Sequence, residues 1–72
     1  MLPLTFATAG EENIIHKIGG NDELKKHLES LGFVAGSRVR VISSLGKNII
    51  VSVKDSRVAI SRDAASKIMV SQ

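Results

Sequence analysis

Ser30-Leu31-Gly32-Phe33-Val34-Ala35-Gly36-Ser37-Arg38-Val39-Arg40-Val41 decides the fold. Helical spacing runs into this stretch and strand alternation runs out of it. Upstream, Leu24, Leu28 and Leu31 recur at i, i+4 and i+7, the spacing of one buried helical stripe. Asn21 is suited to cap that helix, because its side-chain oxygen can accept from a free backbone N–H of the first turn. Asp22 and Glu23 follow where carboxylates complement the positive helix end. A helix is therefore expected over 22–31. Gly32 falls where a helix stop requires a left-handed residue, and Phe33 where an apolar side chain folds back onto the last turn. Gly36 then turns the chain into a strand. In that strand Val39 and Val41 point inward, while Arg38, Arg40 and Ile42 point outward.

Working outward, Thr5 to Ala7 reads as a short first strand after Pro3, with a turn at Gly10. Asn13 to Ile18 reads as a strand with Ile14, His16 and Ile18 on one face and Ile15 and Lys17 on the other. Gly19-Gly20 breaks it. Ser44 to Asn48 reads as a loop with Gly46-Lys47-Asn48 at its tip. The next strand, Asn48 to Val53, sets Ile49, Val51 and Val53 against Ile50 and Ser52, with Lys54 continuing the latter face. Lys54-Asp55-Ser56 is a tight turn. Arg57 to Ile60 is a further strand. Ser61 is expected to cap a short helix over 62–67, and Lys67 to Val70 forms a last strand. Five or six short strands with tight turns and two short helices predict a mainly β chain folded as one small, partly closed barrel over residues 1–72.

Composition bounds the chemistry. The chain has 72 residues and no cysteine, which excludes a disulfide framework, a thiolate metal site and a cysteine nucleophile. The expected setting is the cytoplasm. Met1 to Gly10 lacks a basic start followed by a long apolar run, so no signal peptide is expected. Apolar runs reach three or four residues, against about 20 for a membrane-spanning helix, so no membrane insertion is expected. The formal charge of +3 is uneven: residues 1–32 carry three lysines against five acids, and residues 33–72 carry seven basic side chains against two acids. A basic half suits an acidic protein surface, a nucleic acid or a membrane face, and also serves simply as a solvated surface.

No catalytic set is legible. His16 and His27 are the only histidines and lack the spacing of a preformed metal site; the metal reading left to them is a weak cation contact shared with Glu23 or Glu29. Glu11-Glu12 has no base or nucleophile beside it and reads as a solvated turn. The glycine-bearing stretches Ile18-Gly19-Gly20-Asn21 and Leu31 to Gly36 fit no phosphate loop. No catalytic residue, cofactor site or resident metal is expected.

The ordered set Leu31, Gly32, Phe33, Gly36, Val39, Val41, Ala59, Ile60, Ala65, Ile68 and Val70 resembles the FeoA family, over nearly the whole chain from about Leu4 to Val70. Two positions depart from the usual pattern. Gly46-Lys47-Asn48 stands where many members have a proline, and Ile60-Ser61-Arg62 where many have Leu-Arg after the alanine. The resemblance implies an SH3-like β-barrel. It also implies a non-enzymatic accessory role in ferrous-iron uptake, exercised by protein–protein interaction with a FeoB-type membrane transporter on its cytoplasmic side. Two other classes compete: a small basic barrel that binds nucleic acid, and a stand-alone regulatory domain like the C-terminal domain of iron-dependent repressors. Against nucleic acid, the chain has no Trp or Tyr and only Phe6 and Phe33 as aromatics, a poor stacking platform. Against repression, no DNA-binding helices precede the barrel. The outward residues Arg38, Arg40 and Lys54 are the candidate partner-binding face, beside Ile42 and Ile50. Gly32 and Gly36 are structural turn residues. An unpaired barrel edge would also allow homodimerisation.

Overall fold

A strand longer than a few residues is stable here only if it presents alternate residues to a common core, and five segments do so, with a sixth, two-residue strand paired at the edge. The computed structural model describes all 72 residues. The strands are β1 (Leu2–Pro3), β2 (Glu12–Ile18), β3 (Arg38–Leu45), β4 (Asn48–Val53), β5 (Ser56–Ser61) and β6 (Ile68–Ser71). Two helices interrupt them, α1 (Asp22–Ser30) and α2 (Arg62–Ala65). All pairings are antiparallel and form one sheet in the order β1-β6-β2-β3-β4-β5. The edges β1 and β5 do not pair with each other, so the barrel is incompletely closed. Helix α2 lies against β5, β4 and the turn that follows β1, and so spans that opening. No helix is long and apolar enough to cross a membrane.

The core is a cluster of 13 buried apolar residues. Val39 and Val41 of β3, Ile49, Val51 and Val53 of β4, and Ile68 and Val70 of β6 supply most of it, around Phe33. Leu28 brings α1 onto this core, flanked by the half-buried Leu24 and Leu31. Asn13 is the one buried polar residue, and its side-chain amide donates to the Glu11 carbonyl at 3.3 Å.

The expected corner is present. The Leu24 N–H donates to Asn21 Oδ1 at 2.7 Å, capping α1. At its far end the Phe33 N–H donates to the Leu28 carbonyl and the Gly32 N–H to the Glu29 carbonyl, both at 3.0 Å. Those two bonds with Gly32 at φ +107° make a Schellman stop. Gly36, at φ +89°, is the third residue of a turn closed by the Ser37 N–H on the Val34 carbonyl. The Gly36 N–H also donates to the Ile15 carbonyl at 2.8 Å, which fastens the turn to β2.

Five expectations are corrected. The first strand is Leu2–Pro3, and Leu4–Phe6 forms a 3₁₀ turn in place of the strand expected at Thr5 to Ala7, because Leu4 must turn inward to be buried. Strict alternation in β2 fails at a bulge between Ile15 and Lys17. Ile15 therefore faces the core and Ile18 packs against it, while His16 stands exposed with its Nε2 hydrogen-bonded to Ser71 Oγ. A second bulge, between Val41 and Ser43, makes Ile42 an extra, half-buried residue rather than an outward one. Strand β3 continues to Leu45, so the loop shrinks to Gly46-Lys47. Helix α2 ends at Ala65, two residues short of the expected 67.

Candidate functional site: a cationic cleft on the sheet

The outer face of the sheet carries an open cleft of about 590 Å³ where β2 and β3 begin and the β4–β5 turn closes. Its charged lining is Glu12, Arg38, Arg40, Lys54 and Asp55, with Ser37 and Ser52 beside them. The register explains why these meet. Glu12 pairs with Arg40 across β2 and β3, Ile14 with Arg38, and Arg40 with Ser52 across β3 and β4. Because Val39 and Val41 turn into the core, the side chains between and before them must turn out. Alternation alone therefore places Arg38 and Arg40 on one outward row.

Lys54 reaches the cleft for a different reason. Lys54 and Asp55 are the two central residues of the β4–β5 hairpin, at φ 49° and 63°. Two positive φ values define a type I′ turn, which matches the twist of the flanking strands and favours Asn-Gly. Lysine and aspartate adopt it here at a cost of about 1–3 kcal/mol each. The turn lies over the end of α1: a Cβ built at Gly32 would stand 3.2 Å from Lys54 Cγ and 3.7 Å from Val53 Cγ2. The bare Gly32 thus leaves room for the Lys54 stem, and the helix stop and the cleft rim are one packed corner. Gly36 lines the cleft as well, with open space on the side a Cβ would occupy.

All three candidate partner-binding residues, Arg38, Arg40 and Lys54, line this one cleft. Their expected neighbours Ile42 and Ile50 are half-buried, whereas Ile14 is exposed beside Arg38. Glu12, read from sequence as a turn residue, faces the cations and forms the chain's one ion pair, Glu12 Oε1 to Arg38 Nη1 at 3.7 Å. Its side chain is 48% exposed and that of Arg38 73% exposed, so the pair contributes roughly 0.2–1 kcal/mol at most. No local signal marks Glu12, because its neighbours come from a strand far along the chain. The histidines lie elsewhere: His16 on β2 against Ser71, and His27 exposed on α1. No three His, Cys, Asp or Glu side chains converge into a group able to hold a metal ion.

An incompletely closed six-stranded antiparallel barrel with two short helices and a solvated, cation-rich outer face defines an SH3-like domain. The chain belongs to the FeoA domain family, whose profile matches residues 2–72. A Methanocaldococcus jannaschii protein provisionally assigned as an Fe(2+) transport protein A is 43% identical, over 97% of this chain and 85% of its own length. The crystal structure of an iron uptake regulatory protein (FeoA) superposes with a TM-score of 0.89 at 31% identity, covering 97% of this chain and 95% of that one. FeoA of Stenotrophomonas maltophilia complexed with zinc, described as a prokaryotic SH3 domain protein, superposes at 0.84 with 24% identity. That match covers 97% of this chain and 89% of that one, and shows the fold alone.

Proposed function

We propose that this chain is a non-enzymatic accessory protein of ferrous-iron uptake. In this reading it works at the cytoplasmic side of a FeoB-type membrane transporter and docks there through Arg38, Arg40 and Lys54. Family membership and the Fe(2+) transport assignment of the M. jannaschii relative support the transport role. The observation that carries the docking face is the convergence of all three cations on one open cleft, with the exposed Ile14 alongside. Arginine beside aliphatic surface suits a protein interface, where the planar guanidinium pairs with carboxylates. Arg38 and Arg40 are exposed and lie outside the core cluster, so their charge can be reversed without loss of the fold.

The test is an Arg38→Glu/Arg40→Glu double variant. Circular dichroism and melting stay near the parent values. Capture of full-length transporter and of its cytoplasmic domains falls, and ferrous-iron uptake falls in cells lacking the native gene. Rim charges act mainly on association rate, so the difference is largest at low ionic strength. A folded double variant that restores uptake and binds the transporter equally at every salt concentration rules out this face.

A further inference from the structure

We propose that the Arg38–Arg40–Lys54 cleft is an acceptor for paired carboxylates on an extended acidic segment of a protein partner, with Glu12 as the internal group that the partner displaces. This rests on the docking face proposed above and names its chemistry. Three observations carry it. Arg38 and Arg40 are alternate residues on the outward face of β3. Strand rise separates such residues by about 6.6 Å, the same interval as alternate side chains of any extended chain. A segment with an acidic residue at every second position, laid along β3, brings one carboxylate to each guanidinium.

The second observation is a charge mismatch. The lining carries three cations, Arg38, Arg40 and Lys54, against two carboxylates, Glu12 and Asp55, and only Glu12 reaches a cation, opposite Arg40 in register and 3.7 Å from Arg38. That distance is longer than a hydrogen bond, and both side chains are exposed. Lys54 has no ion-pair partner at all. Glu12 therefore holds the site weakly and incompletely. An arriving pair of carboxylates replaces this one loose ion pair with two closer, charge-assisted hydrogen bonds.

The third is what else the wall provides. A single apolar residue, Val39, lines the cleft, and no aromatic side chain does. A nucleobase has nothing to stack on. Both helix N-termini, at Asn21 and Ser61, lie outside the lining, so the backbone amide cradle typical of phosphate sites is missing. What the cleft offers is two guanidinium forks at the spacing of alternate strand residues, which suits carboxylates carried on an extended chain.

The experiment is an NMR titration of the ¹⁵N-labelled protein with the peptide acetyl-Thr-Glu-Thr-Glu-Thr-amide, its Gln-for-Glu counterpart, and inorganic phosphate. The Glu peptide is expected to shift amides of residues 12–14, 36–40 and 52–55 and to lose that effect at high salt, and the Gln peptide to shift none. Glu12→Gln is expected to tighten Glu-peptide binding about two- to fivefold, because it removes the competitor. Arg38→Glu/Arg40→Glu weakens it at least about tenfold. Unchanged or weaker binding by Glu12→Gln overturns the displacement, and equal binding of the Gln peptide, or tighter binding of phosphate at the same amides, overturns carboxylate pairing. If the double variant loses the transporter while the Glu peptide never binds, the carboxylate reading fails and the docking face stands. If the peptide binds as expected and the double variant still docks, the docking face fails and the carboxylate site stands.

Discussion

Gly32 shows how one missing side chain serves two neighbours. Its φ of +107° is a backbone conformation that L side chains rarely adopt, and its Cβ position is already bounded by Lys54 and Val53. Gly32→Val adds a β-branched group to both problems and should destabilise the domain by roughly 1–3 kcal/mol. For a domain of this size that is a fall in Tm of roughly 4–8 °C per kcal/mol, readable by calorimetry. A variant melting within a degree or two of the parent refutes the left-handed stop. Asp55 is the opposite case, a left-handed residue that carries a side chain, at φ 63°. Asp55→Gly relieves the strain in the second position of a type I′ turn and should raise stability by about 0.5–1 kcal/mol, as measured by urea unfolding.

Among the elements, α1 depends on its two ends more than on its length. Nine residues are too few for a stable isolated helix, so capping and the Leu28 contact must hold it. Asn21→Ala removes the acceptor for the Leu24 N–H and should cost about 1 kcal/mol. Hydrogen exchange should report the loss first in the amides of the first turn. Helix α2 is a single turn, tied down from both sides. The Ala64 N–H donates to Ser61 Oγ at 3.1 Å, and the Arg62 side chain donates from Nε to the Gly46 carbonyl at 3.0 Å. The Arg62 N–H also donates to the Lys47 carbonyl at 2.9 Å. Arg62 thus links the β3–β4 turn to the turn of helix that spans the barrel opening.

At the scale of the whole molecule the margin is small. A 72-residue domain is expected to have a stability of about 4–11 kcal/mol, from 0.05–0.15 kcal/mol per residue. Phe33 is the largest of the fully buried side chains, and Phe33→Ala should cost about 3–5 kcal/mol. That loss takes up much or all of the margin, so the variant should be largely unfolded at 37 °C by circular dichroism; a cooperative melt near the parent temperature refutes Phe33 as the centre of the core. No three His, Cys, Asp or Glu side chains converge, so metal is expected to add no comparable support. The chain should melt at the same temperature with and without a chelator. Anaerobic titration should show Fe²⁺ bound no more tightly than at a generic surface site, with His16→Ala and His27→Ala unchanged.

Local signals determined the elements whose reasons are local. Asn21, the leucine stripe and Gly32 specify where α1 starts, which face it buries and where it stops, because caps and helical spacing act within a few residues. Val39 and Val41 likewise specify that Arg38 and Arg40 face outward. What only the tertiary structure decided depends on partners distant in sequence. The two bulges, at Ile15/Lys17 and Val41/Ser43, arise where β2 and β3 must curve to pair with β6 and β4, and they reassign His16 and Ile42. Leu4 opens a 3₁₀ turn in place of the strand expected at Thr5 to Ala7, because the closing barrel has a place for it in the core. Glu12 joins Arg38 because register across β2 and β3 sets it there. Lys54 joins them because a hairpin turn packs over a glycine at the end of a helix. Residue types and alternation carry the direction of each side chain, but which side chains become neighbours is settled by strand register and sheet curvature, which no short stretch of sequence contains.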